Sequence, residues 1–424
     1  LIVSYYRWHK TATQLPFDRG VITFDGTLCA FQYSIQLAAE RSSFTVRPCP
    51  SVMTLTEKTI MQRRLQVGII GASADRGWAR DSHIPAVQKL QGLELRAVAS
   101  GSQAKSDAAA QAFGARAAYA DSGELIHDPG IDIVSICVKV PDHRDLVLSA
   151  IKAGKHIYCE WPLGKNLGET EELAAAATAA GLHVAIGLQT RCNPELRQAR
   201  SLLESGTIGT VLSARVISST IAFGKTTGAP MAFSEDPANG VTLVTIQGAH
   251  TVDAAIAVLG GLDCASALTS TQYPHIEVGD PPTPYQRITP DHILVQAQLK
   301  KAGVLAIEVA GGRPADQVPF SFQITGTNGE VELRGGAIRG FQSGTLQLIL
   351  NGEQQTVDEG ELSSMPDIVL NVAGVYAGLR DDINSGTYNI PDFQHAIRLH
   401  RLIDDLSLSA TGGVRKSAND WPVR

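Results

Sequence analysis

Residues 67–87 read Val-Gly-Ile-Ile-Gly-Ala-Ser-Ala-Asp-Arg-Gly-Trp-Ala-Arg-Asp-Ser-His-Ile-Pro-Ala-Val. An apolar run ends in glycine and small residues, and a helix-compatible stretch follows. This is the layout of a buried parallel strand turning tightly into a helix, the opening of a dinucleotide-binding βαβ unit. Gly68 and Gly71 permit the turn, because a Cβ there would collide with a passing pyrophosphate. Ala72 and Ser73 continue it. Ser73 stands where a third glycine is usual, so its hydroxyl is expected to serve as a phosphate donor. Trp78 then opens the helix, whose positive dipole end suits phosphate.

Outward from this stretch, strand and helix alternate from 65 to about 187. Strands are expected at 65–70, 93–99, 118–119, 131–138, 156–159 and 183–187, with helices between them. That order predicts a Rossmann-type doubly wound parallel α/β sheet with right-handed crossovers. From about 190 the pattern changes to long alternating strands at 211–218, 293–299, 304–310, 320–325 and 330–334, with helices at 194–205, 241–259 and 393–408. This predicts a second, α+β domain on a large open antiparallel sheet. The expected division is therefore 65–187 for nucleotide binding and 188–424 for substrate and oligomerisation.

Residues 1–64 lack sustained periodicity and carry eight basic against four acidic residues. They are expected to be a poorly ordered extension outside the fold, with a functional start at Met53 or Met61; a regulatory arm is the alternative. The whole chain has 424 residues, 44% hydrophobic and 18% charged, which suits two globular domains. A net charge of −6 gives no electrostatic footprint for nucleic acid. No apolar run is expected to span a bilayer. Six cysteines without C-x-x-C spacing fit reduced thiols in a cytoplasmic protein, and no metal-ligand spacing is found.

Residues 153–163 read Ala-Gly-Lys-His-Ile-Tyr-Cys-Glu-Trp-Pro-Leu. With Gly68-Ile-Ile-Gly71-Ala72, Asp132-Ile-Val-Ser-Ile, His143, Arg191-Cys-Asn-Pro194, His250-x-x-Asp253 and Gly326-Thr-Asn-Gly329, this ordered set resembles the glucose–fructose oxidoreductase / inositol dehydrogenase (Gfo/Idh/MocA) family over roughly 65–412. Within it the chain is most similar to the branch of the fungal galactose-regulon repressor, on Gly77-Trp78-Ala79, Glu160-Trp161 and the stretch from Asn239 to Thr245. The resemblance implies a bound NAD or NADP and a sugar-like ligand. It also implies hydride transfer, or, for the repressor branch, a catalytically inactive dinucleotide sensor acting by protein contact.

The resemblance also assigns residues. Ser100 holds the place where a carboxylate normally takes the ribose 2′-hydroxyl of NAD. Without that charge the expectation leans to NADP. Lys139 and His143 lie at the carboxyl edge, where Lys139-Val140 replaces the family's Pro-Asn. Glu160 is expected at the cofactor ribose, and Arg191 in the cleft with it. The family's substrate-side Lys is Trp161 here, which could stack on a sugar or fill space as core. Pro162 is expected to fix the bend, as a cis peptide. His250 is the expected acid–base residue, but the Asp that the family often carries four residues earlier is Ile246. Gln189, Lys225 and His292 are weaker cleft candidates. The second-domain sheet, judged too apolar at 304–310 and 320–325 to stay wet, is expected to make a homodimer or homotetramer.

Overall fold

The computed structural model describes residues 63–314, 319–337, 339–418 and 420–423. Residues 1–62 of the extension, with Cys29, Cys49 and both candidate start residues, lie outside the described residues. Six short, largely β-branched or apolar runs form the first sheet: β1 (Leu65–Ile70), β2 (Leu93–Ala99), β3 (Ala117–Tyr119), β4 (Ile133–Ile136), β5 (His156–Cys159) and β6 (Val184–Ile186). Their order is β3-β2-β1-β4-β5-β6 and every pairing is parallel. Both faces are covered, which is why the strands read as continuous apolar runs.

Register decides where the site lies. Ile70 pairs with Ala99 and Ile136, Ile136 with Cys159, and Cys159 with Ile186. The next residues, Gly71, Ser100, Cys137, Glu160 and Gly187, therefore stand in a row along the carboxyl edge. The strand order reverses between β1 and β4, the place where open α/β sheets bind ligands.

The helices of this half are α1 (Ile84–Lys89), α2 (Gln103–Phe113), α3 (Ser122–His127), α4 (His143–Lys152) and α5 (Leu167–Ala179). Ser102, Asp121 and Asn166 cap α2, α3 and α5 through side-chain oxygens. A wide π turn, Ala79–His83, precedes α1, and Ile84 N–H reaches back to Ala79 O. Pro85 explains it: proline has no N–H, and its ring would press on the carbonyl four residues earlier, so the helix opens by one residue.

Next come α6 (Pro194–Glu204), β7 (Val211–Ser219), β8 (Thr226–Thr227), α7 (Ala249–Leu259), β9 (Leu262–Ser270), β10 (His275–Val278) and β11 (Thr283–Gln286). The chain continues through β12 (His292–Leu299), β13 (Val304–Ala310), β14 (Phe320–Gly326), β15 (Gly329–Gly335), β16 (Leu346–Leu350) and β17 (Glu353–Gln354). It ends with α8 (Asp367–Ser385), α9 (Phe393–Gly412) and β18 (Lys416–Ser417). Nine of these strands form one sheet, β17-β16-β15-β14-β7-β13-β12-β9-β18, while β8, β10 and β11 form a small separate sheet. The large sheet is antiparallel except for the parallel pair β7–β13. Helices α6, α7 and α9 pack on it.

Three expectations are corrected. The 19-residue α8 and the strands β9 to β11 had no counterpart in the sequence reading. Although late in the chain, α8 packs on the first sheet: Val369, Val372, Ala373 and Tyr376 share a core with Val67, Ile69 and Ile84. Second, the stretch Pro237–Leu259 is long and apolar enough to cross a bilayer, contrary to expectation, but it is 83% buried inside the protein and serves as its core helix. Third, the outer face of the large sheet is less apolar than expected. Leu305, Ile307, Val309, Phe320, Phe322 and Ile324 all point inward. Outward stand Val304, Ala306, Glu308, Ser321, Gln323 and Thr325, because strand side chains alternate.

Candidate functional site

The glycine turn is tight for a reason internal to the protein. Gly71 has φ +94°, and a Cβ there would overlap the carbonyl oxygen of Cys137 at the end of β4. At Gly68 it would meet Ile131 and Leu125 at 2.7 and 2.8 Å. The glycines thus let β1 and its turn sit against neighbouring chain, whether or not a phosphate passes. The N–H groups of Gly71 and Ala72 both donate to Ala99 O, at 2.9 and 3.2 Å. Phosphate donors are therefore to be sought further on, between Ser73 and Trp78. Ser73 Oγ accepts from Asp75 N–H at 3.4 Å. The Trp78 indole is half-buried, and its Nε1 is buried without a hydrogen-bond partner.

At the end of β2, Ser100 N–H donates to Ser106 Oγ at 2.9 Å, which fixes the loop against α2. Lys139 is exposed, and its ammonium lies 4.7 Å from the Phe233 ring centroid, a cation–π contact joining the β4 loop to residues 229–235. His143 is fully buried, with Nδ1 2.9 Å from Pro162 O and Nε2 3.1 Å from Val138 O. Burial lowers its pKa. It braces the two loops that form the cleft floor. Arg191 also has partners inside the protein. Its Nε donates to Asp253 Oδ2 at 2.8 Å and its Nη2 reaches Val423 O at 3.5 Å.

Glu160 stands in the edge row with 18% of its side chain exposed. Its Oε1 lies 3.1 Å from Nε2 of His83, a buried residue absent from the sequence reading. His83 Nδ1 is 3.0 Å from Tyr376 Oη, and Tyr376 Oη is 2.6 Å from Ser135 Oγ. Burial pulls the His83 pKa down, but Cys137 and Glu160 outweigh it and hold it up at about 10. The signal for His83 was spacing. It lies four residues after Ala79 and four before Val87, on the stripe that α1 buries.

Trp161 does not line a sugar platform. It is 6% exposed, its Nε1–H donates to Thr245 O at 2.7 Å, and its ring lies 6.1 Å from that of His400. It is core, filling the place of the family Lys. The Trp161–Pro162 peptide is cis, as expected. Beyond it, Gly240 has φ +71°, and a Cβ there would overlap Lys165 O, so the approach to α7 docks directly on this loop.

His250, on α7, is 6% exposed, and its Nδ1 is buried without a partner. Burial lowers its pKa to about 4, against the pull of Glu160 and Asp253, so it is neutral at pH 7. Asp253 is committed elsewhere: His395 Nε2 lies 2.7 Å from its Oδ1, opposite Arg191 on Oδ2. Burial would raise the Asp253 pKa, but Arg191 and His395 hold it far below the usual carboxylate range. Of the weaker candidates, Gln189 is buried just beyond the edge row, Lys225 is exposed, and His292 starts β12 with Nε2 3.4 Å from Glu308. No grouping of three metal-ligating side chains occurs among the described residues, and Cys137, Cys159, Cys192 and Cys264 are free thiols.

Residues 65–188 match the oxidoreductase family with an NAD-binding Rossmann fold, and residues 194–335 match the Gal80p C-terminal domain. The chain belongs to the Gfo/Idh/MocA family. It lies near the Gal80 branch. Dehydrogenase aclE of Aspergillus oryzae is 28% identical over 364 residues, covering 83% of this chain and 98% of that protein. The galactose/lactose metabolism regulatory protein GAL80 of Saccharomyces cerevisiae is 26% identical over 406 residues, covering 81% and 92%. Among solved structures, levoglucosan dehydrogenase in complex with NADH and levoglucosan superposes with a TM-score of 0.71 at 20% identity, covering 84% of this chain and 100% of that one. At that identity the likeness is one of fold.

Proposed function

We propose that the protein is an NAD(P)-dependent oxidoreductase acting on a hydroxyl group of a sugar or polyol, with His250 as the proton donor or acceptor. The observation that carries this is His250 itself. It is a neutral imidazole with a buried, unpartnered Nδ1, within electrostatic reach of the Glu160 carboxylate. A buried polar atom without a partner is costly unless a ligand completes it.

The residues of the edge row fit a dinucleotide. The turn at 71–78 leads into a helix start, Trp78 Nε1 is unpartnered, and no acidic side chain stands at Ser100. Trp78 and residues 73–78 would hold the pyrophosphate side, Ser100 the adenosine ribose, and Glu160 the second ribose. A bound nicotinamide supplies the hydride acceptor or donor. Ser100, with Lys105 exposed on the first turn of α2, tolerates a 2′-phosphate, which favours NADP or both cofactors. Oxidation of an alcohol releases a proton, and His250 would accept it through a hydrogen bond to the hydroxyl. The large sheet's open face, with Leu268 opposite Leu294 and a hollow of about 770 Å³ around Arg215, Gln296 and Gln323, is the surface on which a homodimer would form.

A second reading rests on Trp161 and Ile246. Both chemistry-bearing family positions are apolar here, and the match over 194–335 is to the Gal80p domain. In this reading the protein binds dinucleotide and signals by protein contact. Titration of NADH and NADPH fluorescence, followed by absorbance at 340 nm with a panel of sugars and polyols in both directions, separates the two. Turnover above the uncatalysed rate supports the enzyme. Tight dinucleotide binding with no turnover on the panel supports the regulator.

A further inference from the structure

We infer that His83 is a positioning residue which, anchored on Tyr376, holds the Glu160 carboxylate aimed into the cleft. It supplies from beneath the positive charge that Trp161 no longer supplies from the side. This rests on the reading of the cleft as a dinucleotide site.

The geometry is a chain of close contacts that runs from the cleft into the interior. The His83 side chain is 0% exposed. Its Nε2 lies 3.1 Å from Glu160 Oε1, and its Nδ1 lies 3.0 Å from Tyr376 Oη. Tyr376 Oη can accept from Nδ1–H and donate to Ser135 Oγ at 2.6 Å. Nδ1 therefore has an acceptor when the ring is charged, while Nε2 faces Glu160 Oε1 at ion-pair distance, off the hydrogen-bonding direction. The wide turn at 79–83, forced by Pro85, sets the imidazole in this place, and α8 carries Tyr376 to it.

The groups that face this pair come from every packed element. Ser135 and Cys137 belong to β4 and its end, Tyr158 and Glu160 to β5 and its end, and Tyr376 to α8. Trp78 stands edge-on at 6.4 Å. His250 of α7 approaches Glu160 from the cleft side and is neutral near pH 7. No other side chain in this set carries a positive charge at neutral pH. A carboxylate fixed in this way keeps its outer lone pairs for a vicinal diol, such as a ribose or a sugar presents.

The test uses the full chain with ¹⁵N-labelled histidine, His83 being assigned by its loss in His83→Gln. We expect both His83 ring nitrogens to stay protonated to at least pH 8. In Glu160→Gln the midpoint should fall by more than one pH unit, and in Cys137→Ser it should stay above neutrality. A neutral His83 at pH 7.5, or a midpoint set by Cys137 and indifferent to Glu160→Gln, overturns the inference. NADH and NADPH affinities are then followed by fluorescence from pH 5.5 to 8.5. Wild type should be flat. His83→Gln, which keeps a donor without the charge, should weaken binding about tenfold more at pH 5.5 than at pH 8.5. A uniform loss at every pH would mark a merely structural role and overturn the inference. Should His83→Gln fail to fold, Tyr376→Phe, which removes the Nδ1 acceptor, should lower the His83 midpoint, and an unmoved midpoint counts against the proposal. If wild type binds neither dinucleotide, the cofactor reading fails, while the nitrogen titration still decides the charge on His83.

Discussion

Two of the polar networks buried among the described residues differ in how far they are completed. In the wall formed by residues 220–239 and 271–291, the Arg287 side chain is 0% exposed yet fully engaged. Its Nε and Nη2 meet Glu235 Oε2 and Oε1 at 2.9 and 2.8 Å, and its Nη1 meets the carbonyls of Phe223 and Gly224 at 2.7 and 2.9 Å. Thr227 donates to Glu235, and Asp291 accepts from the N–H groups of Gln272 and Tyr273. The cleft network is different. His83 Nε2 and Glu160 Oε1 lie 3.1 Å apart as an ion pair without hydrogen-bond geometry, and Trp78 Nε1, Tyr158 Oη and His250 Nδ1 are likewise buried without hydrogen-bond partners. A closed network needs nothing further and marks structure. An open one is held at a thermodynamic disadvantage that a ligand can relieve. Mutations should therefore divide cleanly, stability on one side and function on the other.

The largest functional effect is expected at His250. If the protein turns over a sugar or polyol, His250→Ala should lower turnover by about 10²–10⁴ while dinucleotide affinity changes little. Steady-state rates and fluorescence titration measure the two quantities separately. Turnover that survives the substitution removes His250 from the chemistry and leaves the comparison with only Glu160 on its functional side.

The closed network should respond through stability. Arg287→Ala leaves Glu235 and Asp291 buried without their cation, and breaking a buried pair in this way costs about 3–5 kcal/mol. Urea unfolding should register this at pH 7. A loss below about 1 kcal/mol would mean that water reaches the pair and that the wall is no more finished than the cleft.

pH offers a subtler division. The folded-state pKa of His250 is about 4 against about 6.5 unfolded, so between these values the unfolded chain binds the extra proton. The contribution is fully present above pH 6.5 and is lost as pH falls towards 4, about 3 kcal/mol in all. His83 has the opposite sign, because its raised pKa stabilises below pH 6.5 and that stabilisation is lost as pH rises through about 10. Unfolding of His250→Leu at pH 7 and pH 4.5 should show a shallower acid decline than wild type. Equal declines would place the acid-sensitive group elsewhere.

The same contrast explains what could be read from the chain in advance. The first sheet was legible because its strands are short apolar runs closed by glycine or capped helices, and both faces are buried. Helix α8 was not, because Gly374 and Gly378 dilute its apolar stripe. Those glycines are there for packing: a Cβ would sit 2.6 Å from the Cys192 Cβ at the first and 2.7 Å from Ile390 Cδ1 at the second. The outer face of the large sheet is less apolar than the composition of its strands suggests, because alternation turns Leu305, Ile307, Phe320 and Phe322 to the inner face. In the site, the edge row followed from motif order alone. The roles of His143, Arg191 and Trp161 did not, because partners such as Val138 O, Asp253 and Thr245 O are brought together only by the fold. His83 was hidden for the same reason, since Tyr376 lies 293 residues away.

A smaller effect is expected at Ser100, at the rim of the open network. Ser100→Asp should shift the ratio of NADPH to NADH dissociation constants about tenfold against NADPH, through repulsion of the 2′-phosphate and a new acceptor for the 2′-hydroxyl. Fluorescence titration with both cofactors reads the ratio directly. An unchanged ratio would put the adenosine ribose away from the end of β2.

The smallest effect should come from a charge contact that belongs to neither network. Arg339, on the loop between β15 and β16, places Nη2 2.8 Å from Asp81 Oδ2 on the wide turn before α1. It joins the two sheets' halves across the cleft, so proximity alone would suggest importance. Exposure argues otherwise: the side chains are 49% and 20% exposed, and Asp81 has Arg80 at 3.7 Å as a second partner. Exposed pairs contribute about 0–1 kcal/mol, screened further by salt. Arg339→Ala should therefore change unfolding free energy by less than about 1 kcal/mol at low ionic strength, and the difference should vanish in 0.5 M salt. A loss above about 2 kcal/mol that persists in salt would make this contact part of a closed interior network, and the separation between finished structure and open site would have to be redrawn around it.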